Sequence, residues 1–265
     1  MENAQVDFSR IGLYERMGER TTQPFALQVL DELDPLAGRS IIDVAAGTGG
    51  LAVVASERGA SVLAIDLMPA MVERTGERLK ALGNSRAEIM DFLALQVADA
   101  SFDAAISNFG ILAYPTWKDG LEEMVRVVKP GGRILLTMWT QQDDCSPAHV
   151  LHRVFRQLFP GRALWPPGLF PVFSRQLLEE SLQEAGCTSV SVRETEAEWT
   201  PISSGDVVQE CDPMFRSFPG YASLGDDEML DLQGHLRRAF QGYASSDGTI
   251  RLPTRAFLVV ATRQG

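Results

Sequence analysis

The sequence predicts an α/β fold built around a parallel sheet. Short β-branched apolar runs alternate with amphipathic helical patterns through the first 140 residues, as in strands linked by crossover helices. Five such strand–helix steps are followed by two further strand runs with a long insertion between them. No stretch of about 18 apolar residues occurs, so the hydrophobic content fills a core rather than a bilayer.

Each element has its own signal. Residues 24–34, PFALQVLDELD, read as a helix with Pro24 suited to its first turn. SIIDV (40–44) is the first strand and 49–58 the helix after it. SVLAIDL (61–67) is the second strand, followed by a helix over 69–82 that Pro69 opens. AEIM (87–90) and FDAAISN (102–108) are the third and fourth strands. The helix 116–128 places Leu121, Met124, Val125 and Val128 on one face, KPGG (129–132) stops it, and RILLTMW (133–139) is the fifth strand. Beyond it come an amphipathic helix in SPAHVLHRVFRQLFPG, a proline-rich turn in PPGLFPVFS and a helix in SRQLLEESLQEAGC. TSVSVRETEAEW (188–199) alternates as the sixth strand, 203–248 is mostly helical and Gly-rich, and 251–263 closes with a strand. An insertion of that kind builds a cap or a substrate wall.

The charge balance is 24 Lys and Arg against 35 Asp and Glu, net −11. A nucleic-acid partner needs a basic footprint to release counterions, and none is present. The expected partner is a small molecule, neutral or cationic. Three separated cysteines, Cys145, Cys187 and Cys211, fit a reducing cytosol and suggest neither a disulfide frame nor a metal site. The polar N-terminus MENAQVDFSR does not read as a secretory signal, so a cytoplasmic, non-membrane protein is expected, with its oligomeric state open.

The segment IIDVAAGTGGLAVV (41–54) carries the chemistry: a buried-strand pattern ending in Asp43, then a turn of small residues opening a helix. GTGGLA (47–52) matches the dinucleotide fingerprint G-x-G-x-x-A, and Asp66 follows at the spacing of a ribose-binding acid. Yet Asp43 would repel a pyrophosphate, the turn carries no basic residue, and two more segments, FDAAISN and VRVVKPGGRILLTMW, follow in fixed order.

Taken in order, DVAAGTG (43–49), AIDLMPAMVE (64–73), MDFLAL (90–95), SFDAAISNFGIL (101–112) and MVRVVKPGGRILLTMW (124–139) resemble the class I S-adenosylmethionine (SAM)-dependent methyltransferases, in particular the type 11/UbiE-like small-molecule branch. The resemblance covers about residues 10–140 of a chain expected to form a single domain over 1–265. It implies a Rossmann-like seven-stranded, mostly parallel sheet with the last strand antiparallel, and a helical cap over 203–248. It further implies SAM as cofactor and S-adenosylhomocysteine as product. By the resemblance, Ala45, Gly47 and Gly49 admit the methionine part and Asp43 faces its amino group. Asp66 accepts from the ribose hydroxyls, with Leu67, Met68 and Met71 beside the nucleoside. Asp91 accepts from the adenine amine, with Phe92 and Leu93 against the ring, although the family usually carries Gly in place of Phe92. Asn108 and Phe109 lie by the transferred methyl, and Tyr14 covers the cofactor. The NFGI text lacks the prolines and stacking aromatic of the NPPY box of nucleic-acid amino-methyltransferases.

Methyl transfer needs alignment, and a base only when the acceptor must lose a proton. The chain has three histidines. His152 sits at the margin of the apolar stripe Val150, Leu151, Val154, Phe155 and is the candidate base, whereas His149 points away from that stripe. His235 flanks Met229, Leu236 and Phe240. Tyr114 and Trp117 are candidate acceptor-site residues. The expected reaction is methylation of an oxygen, nitrogen or carbon of a small metabolite, a natural-product scaffold included. The alternatives are a non-methylating SAM-fold protein, cyclase or binding module, and a NAD-dependent oxidoreductase.

Overall fold

The computed structural model describes residues 11–140, 142–203 and 205–265, so the reading of the first ten residues lies outside the described part. The chain divides into two compact units. One, the sheet unit, comprises Thr22–Met138, Phe170–Thr195 and Ala256–Gly265; the other, the helical unit, comprises residues up to Thr21, Trp139–Leu169 and Glu196–Arg255.

The described chain begins with helix α1 (Ile11–Tyr14), a π-helical turn over Glu15–Glu19 and α2 (Arg20–Asp31). Helical backbone is therefore already established before Pro24, which lies inside α2 rather than in a first turn. Strands β1 (Ser40–Val44), β2 (Ser61–Asp66), β3 (Arg86–Ile89) and β4 (Phe102–Asn108) alternate with α3 (Gly50–Glu57) and α4 (Pro69–Leu79). Helix α5 (Trp117–Val127) leads directly into β5 (Val128–Trp139). KPGG thus lies within the span of β5 and not ahead of it: Phe102 pairs with Val128 and Ala104 with Arg133, so residues 129–132 bulge out opposite Asp103. After α6 (Pro147–Leu158) and α7 (Arg175–Glu184) come β6 (Cys187–Trp199), α8 (Val207–Phe215), α9 (Pro219–Ala222), α10 (Asp226–Gln241) and β7 (Leu252–Arg263).

The strands form one seven-stranded sheet in the order β3-β2-β1-β4-β5-β7-β6, mixed, with the last strand antiparallel. In the sheet unit successive residues of β1 serve opposite faces. Ile42 and Val44 join one cluster with Leu121, Met124 and Val125 of α5 and Leu178 and Leu182 of α7. Ile41 joins another with Val29 and Leu30 of α2, Leu51 and Ala55 of α3 and Leu79 of α4. Burial on both faces explains why β1 and β2 read as continuous apolar runs.

The helical unit has its own core. Val150, Leu151, Val154 and Phe155 of α6 pack with Trp199, with Val208, Cys211 and Phe215 of α8, with Tyr221 of α9 and with Leu232, Leu236 and Phe240 of α10. The segment 203–248 therefore supplies much of this core; deleting it would strip α6 of its packing.

Candidate functional site

The turn after β1 is set by backbone geometry. Ala45, Gly47 and Gly49 have φ of 57°, 59° and 79°, the left-handed region that a side chain resists. A Cβ on Gly49 would stand 2.5 Å from Thr75 Cγ2, so glycine is required there for space as well as for φ. Ala45 holds its conformation without that freedom, a strain that persists only where neighbours over-determine the backbone. They do so here. Ala46 N–H donates to Ile65 O at 2.9 Å and Gly47 N–H to Asp66 Oδ2 at 2.9 Å. The Thr75 hydroxyl donates to Gly47 O at 2.9 Å and Arg78 to Thr48 O at 2.8 Å. One face of α4 thus fixes the turn.

Two carboxylates stand at the carboxyl ends of neighbouring strands. Asp43, 1% exposed, is the fourth residue of β1 and sits in register between Ala64 of β2 and Ile106 of β4. Asp66 ends β2, and its two oxygens accept from Gly47 N–H and Met68 N–H at 2.9 Å each. A carboxylate offers about four acceptor sites, so Asp66 keeps capacity for a further donor. Burial raises the Asp66 pKa above its usual range, and the backbone donors Met68, Gly47 and Leu67 oppose that rise.

Beside Asp66 lies an apolar surface. Leu67, Leu93 and Tyr114 are exposed, and the Tyr114 ring tilts against Phe92 with centroids 5.4 Å apart. Burial, and then the charge of Asp66, raise the Tyr114 pKa, which places the phenol within the field of that carboxylate. Asp91 Oδ1 accepts from Leu93 N–H at 2.9 Å and so shapes the loop carrying Phe92. The Phe92 ring packs where a Cβ on Gly120 of α5 would stand, 2.5 Å away. Phe92 is thus accommodated by a glycine elsewhere. Met71 is buried in α4.

The turn after β4 abuts the turn after β1. A Cβ on Gly110 would meet Ser107 Oγ at 2.5 Å, Ala45 Cβ at 2.8 Å and Val44 O at 2.9 Å. Ser107 donates to Val44 O at 2.7 Å and accepts from Ile111 N–H at 2.9 Å. Thr137 donates to Asn108 Oδ1 at 2.7 Å and accepts from Phe109 N–H at 3.1 Å, holding Phe109 at φ 55°. Asp43, Asp66, Asn108 and the two turns are therefore gathered at one end of the sheet. Trp117 is buried and packs edge-on against Phe173 with centroids 5.3 Å apart.

Tyr14 and His152 belong to the helical unit. The Tyr14 ring lies over Gly18, 3.1 Å from where a Cβ there would stand. His152 stacks on Trp165 with centroids 4.4 Å apart, and burial followed by the Arg156 charge lowers its pKa. His149 does not sit on a solvated face. Its Nδ1 lies 2.7 Å from Ser146 Oγ, its ring is edge-on to Trp139, and burial pushes its pKa down to about 4. His235 is paired locally with Asp231.

Thr75, Arg78, Ser107 and Thr137 were not singled out by sequence, because each reaches a turn 28 to 63 residues away or holds a residue 28 to 29 away. No local spacing signals such pairings. Among the described residues no cluster of His, Cys, Asp and Glu forms a metal site, and no helix is long and apolar enough to cross a membrane.

The donor set suits SAM. Two carboxylates, one buried and one with spare acceptor capacity, answer an ammonium and a ribose diol; the exposed apolar side chains answer a purine; the tight turns admit close backbone approach. Residues 41–132 match the family model described as "Methyltransferase domain". An uncharacterized protein of Mycobacterium tuberculosis (strain ATCC 25618 / H37Rv) is 27% identical over 230 residues, 83% of this chain and 80% of that protein. Demethylmenaquinone methyltransferase of Clavibacter sepedonicus is 40% identical over 104 residues, 38% of this chain and 42% of that enzyme. The solved structure of Haemonchus contortus phosphoethanolamine N-methyltransferase 2 in complex with SAM superposes with a TM-score of 0.59 at 19% identity, over 97% of this chain and 57% of that one. Fold, turn chemistry and the matched segment agree, and together they support a class I SAM-dependent methyltransferase.

Proposed function

We propose that the protein transfers a methyl group to a small-molecule acceptor, at an oxygen, nitrogen or carbon atom. The observation that carries this reading is the pairing of Asp43 and Asp66 at adjacent strand ends in a chain of net charge −11. That arrangement favours a cationic cofactor and offers no footprint for a polyanionic substrate. Relatives whose names specify demethylmenaquinone or phosphoethanolamine as acceptor point the same way.

SAM, when bound, supplies a methyl group activated by its sulfonium charge. The chain's residues would bind and orient it. Asp66 would take the ribose hydroxyls, with Leu67 and Met68 alongside, while Asp91, Phe92, Leu93 and Tyr114 would frame the adenine. Ala45, Gly47 and Gly49 would lie along the methionine part, with Asp43 toward its amino group. Asn108 and Phe109, pinned by Thr137, would border the reacting end. Tyr14 is proposed as a cofactor cover and His152 as the group that takes a proton from an acceptor that must lose one. The helices of 203–248 are proposed to govern acceptor choice.

The test is S-adenosylhomocysteine release against a panel of small phenols, amines and quinols, with product mass measured in parallel. Cofactor-dependent gain of one methyl on any of them supports the reading. SAM binding with no transfer to any acceptor class, together with rearrangement of a polyene substrate, would assign the protein to the non-methylating members of the fold instead.

A further inference from the structure

We infer that the end of the sheet opposite the cofactor cradle holds a second site, which binds a phosphoryl or pyrophosphoryl group. The bulge in β5 creates it. Between the pairs Phe102–Val128 and Ala104–Arg133, the turn 129–132 loops out past Asp103 and leaves a cavity of about 190 Å³. Arg39, Lys129 and Arg133 line that cavity with a single acid, Asp103.

The charges do not cancel. Asp103 accepts from Ser40 N–H at 2.8 Å and from Lys129 Nζ at 2.7 Å, and the Arg39 charge also acts on it, so one acid answers three cations. Arg39 donates from Nε to Pro35 O at 2.8 Å and has its outer nitrogens to spare. Arg133 lines the cavity and forms no ion pair among the described residues. Three cations facing one acid at one opening leave an excess positive charge that favours a multiply charged tetrahedral anion with several acceptor oxygens over a single carboxylate. The net charge of −11 does not cancel this local field, because at physiological salt charges beyond about 8 Å are largely screened.

The site is separate from the cradle. Arg39 precedes the first residue of β1 and Asp43 is its fourth, so at about 3.3 Å per residue the two lie roughly 13 Å apart along the strand.

The test is calorimetric titration of the full chain, saturated with S-adenosylhomocysteine, with inorganic phosphate and with pyrophosphate. Pyrophosphate should bind more tightly than phosphate without displacing the nucleoside. Arg133→Gln should weaken pyrophosphate by about tenfold, the scale of one charge-assisted fork. Arg39→Gln should weaken it too, which keeps the test valid if the β5 variant folds poorly. Asp103→Asn, which keeps an acceptor for Ser40, should tighten binding. Vesicles with and without phosphatidic acid form the second arm: binding that needs the lipid and Arg133 assigns the phosphoryl group to a headgroup, and its absence assigns it to a soluble metabolite. No pyrophosphate binding at millimolar concentration, displacement of S-adenosylhomocysteine by pyrophosphate, or equal affinity in wild type and both arginine variants would overturn the proposal.

Discussion

In the sheet unit Asp66 and Thr75 direct their side-chain hydrogen bonds at the backbone of the turns after β1 and β2. In the helical unit one polar cluster bonds within itself: Tyr221 donates to Asp212 Oδ1 at 2.7 Å, Gln233 reaches the same oxygen at 3.3 Å, and Arg216 holds the other at 2.6 Å. The first arrangement fixes a backbone shape and leaves carboxylate capacity for a ligand. The second ties Tyr221, Gln233 and Arg216 to one carboxylate, Asp212. The contrast teaches where ligand chemistry is concentrated: at strand ends whose acids serve the backbone and still have lone pairs to offer.

The sharpest way to break that comparison uses one glycine from each unit. A Cβ on Gly220 would stand 2.3 Å from Ala163 O and 2.7 Å from Leu164 Cα, both backbone atoms that cannot step aside. Gly220→Ala should cost about 3 kcal/mol or more. Hydrogen exchange should rise in α6 and α8–α10, with SAM affinity kept within a few fold. Gly49→Ala meets the flexible Thr75 side chain at 2.5 Å and a φ of 79°, a cost of about 2–3 kcal/mol. It should abolish SAM binding. If both variants lose the cofactor equally, the two units are not separable in function.

A smaller effect should appear with pH. His149, its pKa held at about 4 by burial and then by the His152 charge against the opposing charges of Asp143 and Asp144, stays neutral when folded, whereas the unfolded chain titrates it near 6.5. Between those values the unfolded state binds the extra proton, so stability falls as pH drops from about 6.5 toward 4, by up to about 3 kcal/mol. Denaturant melts of wild type and His149→Gln across that range should converge in slope only for the variant. Asp66 works in the opposite sense. With its pKa raised, the free protein loses stability as pH rises through the window above 3.8, and SAM affinity should weaken as Asp66 takes up a proton on acidification.

The smallest effect is expected of Thr75→Val, which keeps shape but removes the bond to Gly47 O. A loss of about 1 kcal/mol in stability, with a few-fold weaker SAM binding, is expected from melts and calorimetry.

The sheet unit was largely legible because its signals are local. β1 and β4 fall on the residues their short apolar runs mark, and the left-handed turn positions fall on Gly47 and Gly49. What escaped were pairings across the sequence. Pro24 reads as a helix start until the preceding turns prove helical, and KPGG reads as a stop until β5 proves to bulge around it. The contact of Trp117 with Phe173 carries no mark in the sequence around either residue. His149 reads as outward-facing from helix periodicity alone, although Trp139 and Ser146, both outside α6, enclose it. The helical unit depends throughout on such contacts, so its stripes were visible and its chemistry was not.

The central claim is that Asp66 joins the glycine turn to a SAM nucleoside. Calorimetry on wild type and Asp66→Ala, with SAM and NAD as titrants, tests it most directly. Wild type should bind SAM and not NAD. The variant should lose about 1–3 kcal/mol of SAM affinity while giving a cooperative melt, lowered because Gly47 N–H and Met68 N–H lose their acceptor. An unchanged SAM dissociation constant in the folded variant, or NAD bound in place of SAM, would contradict the account.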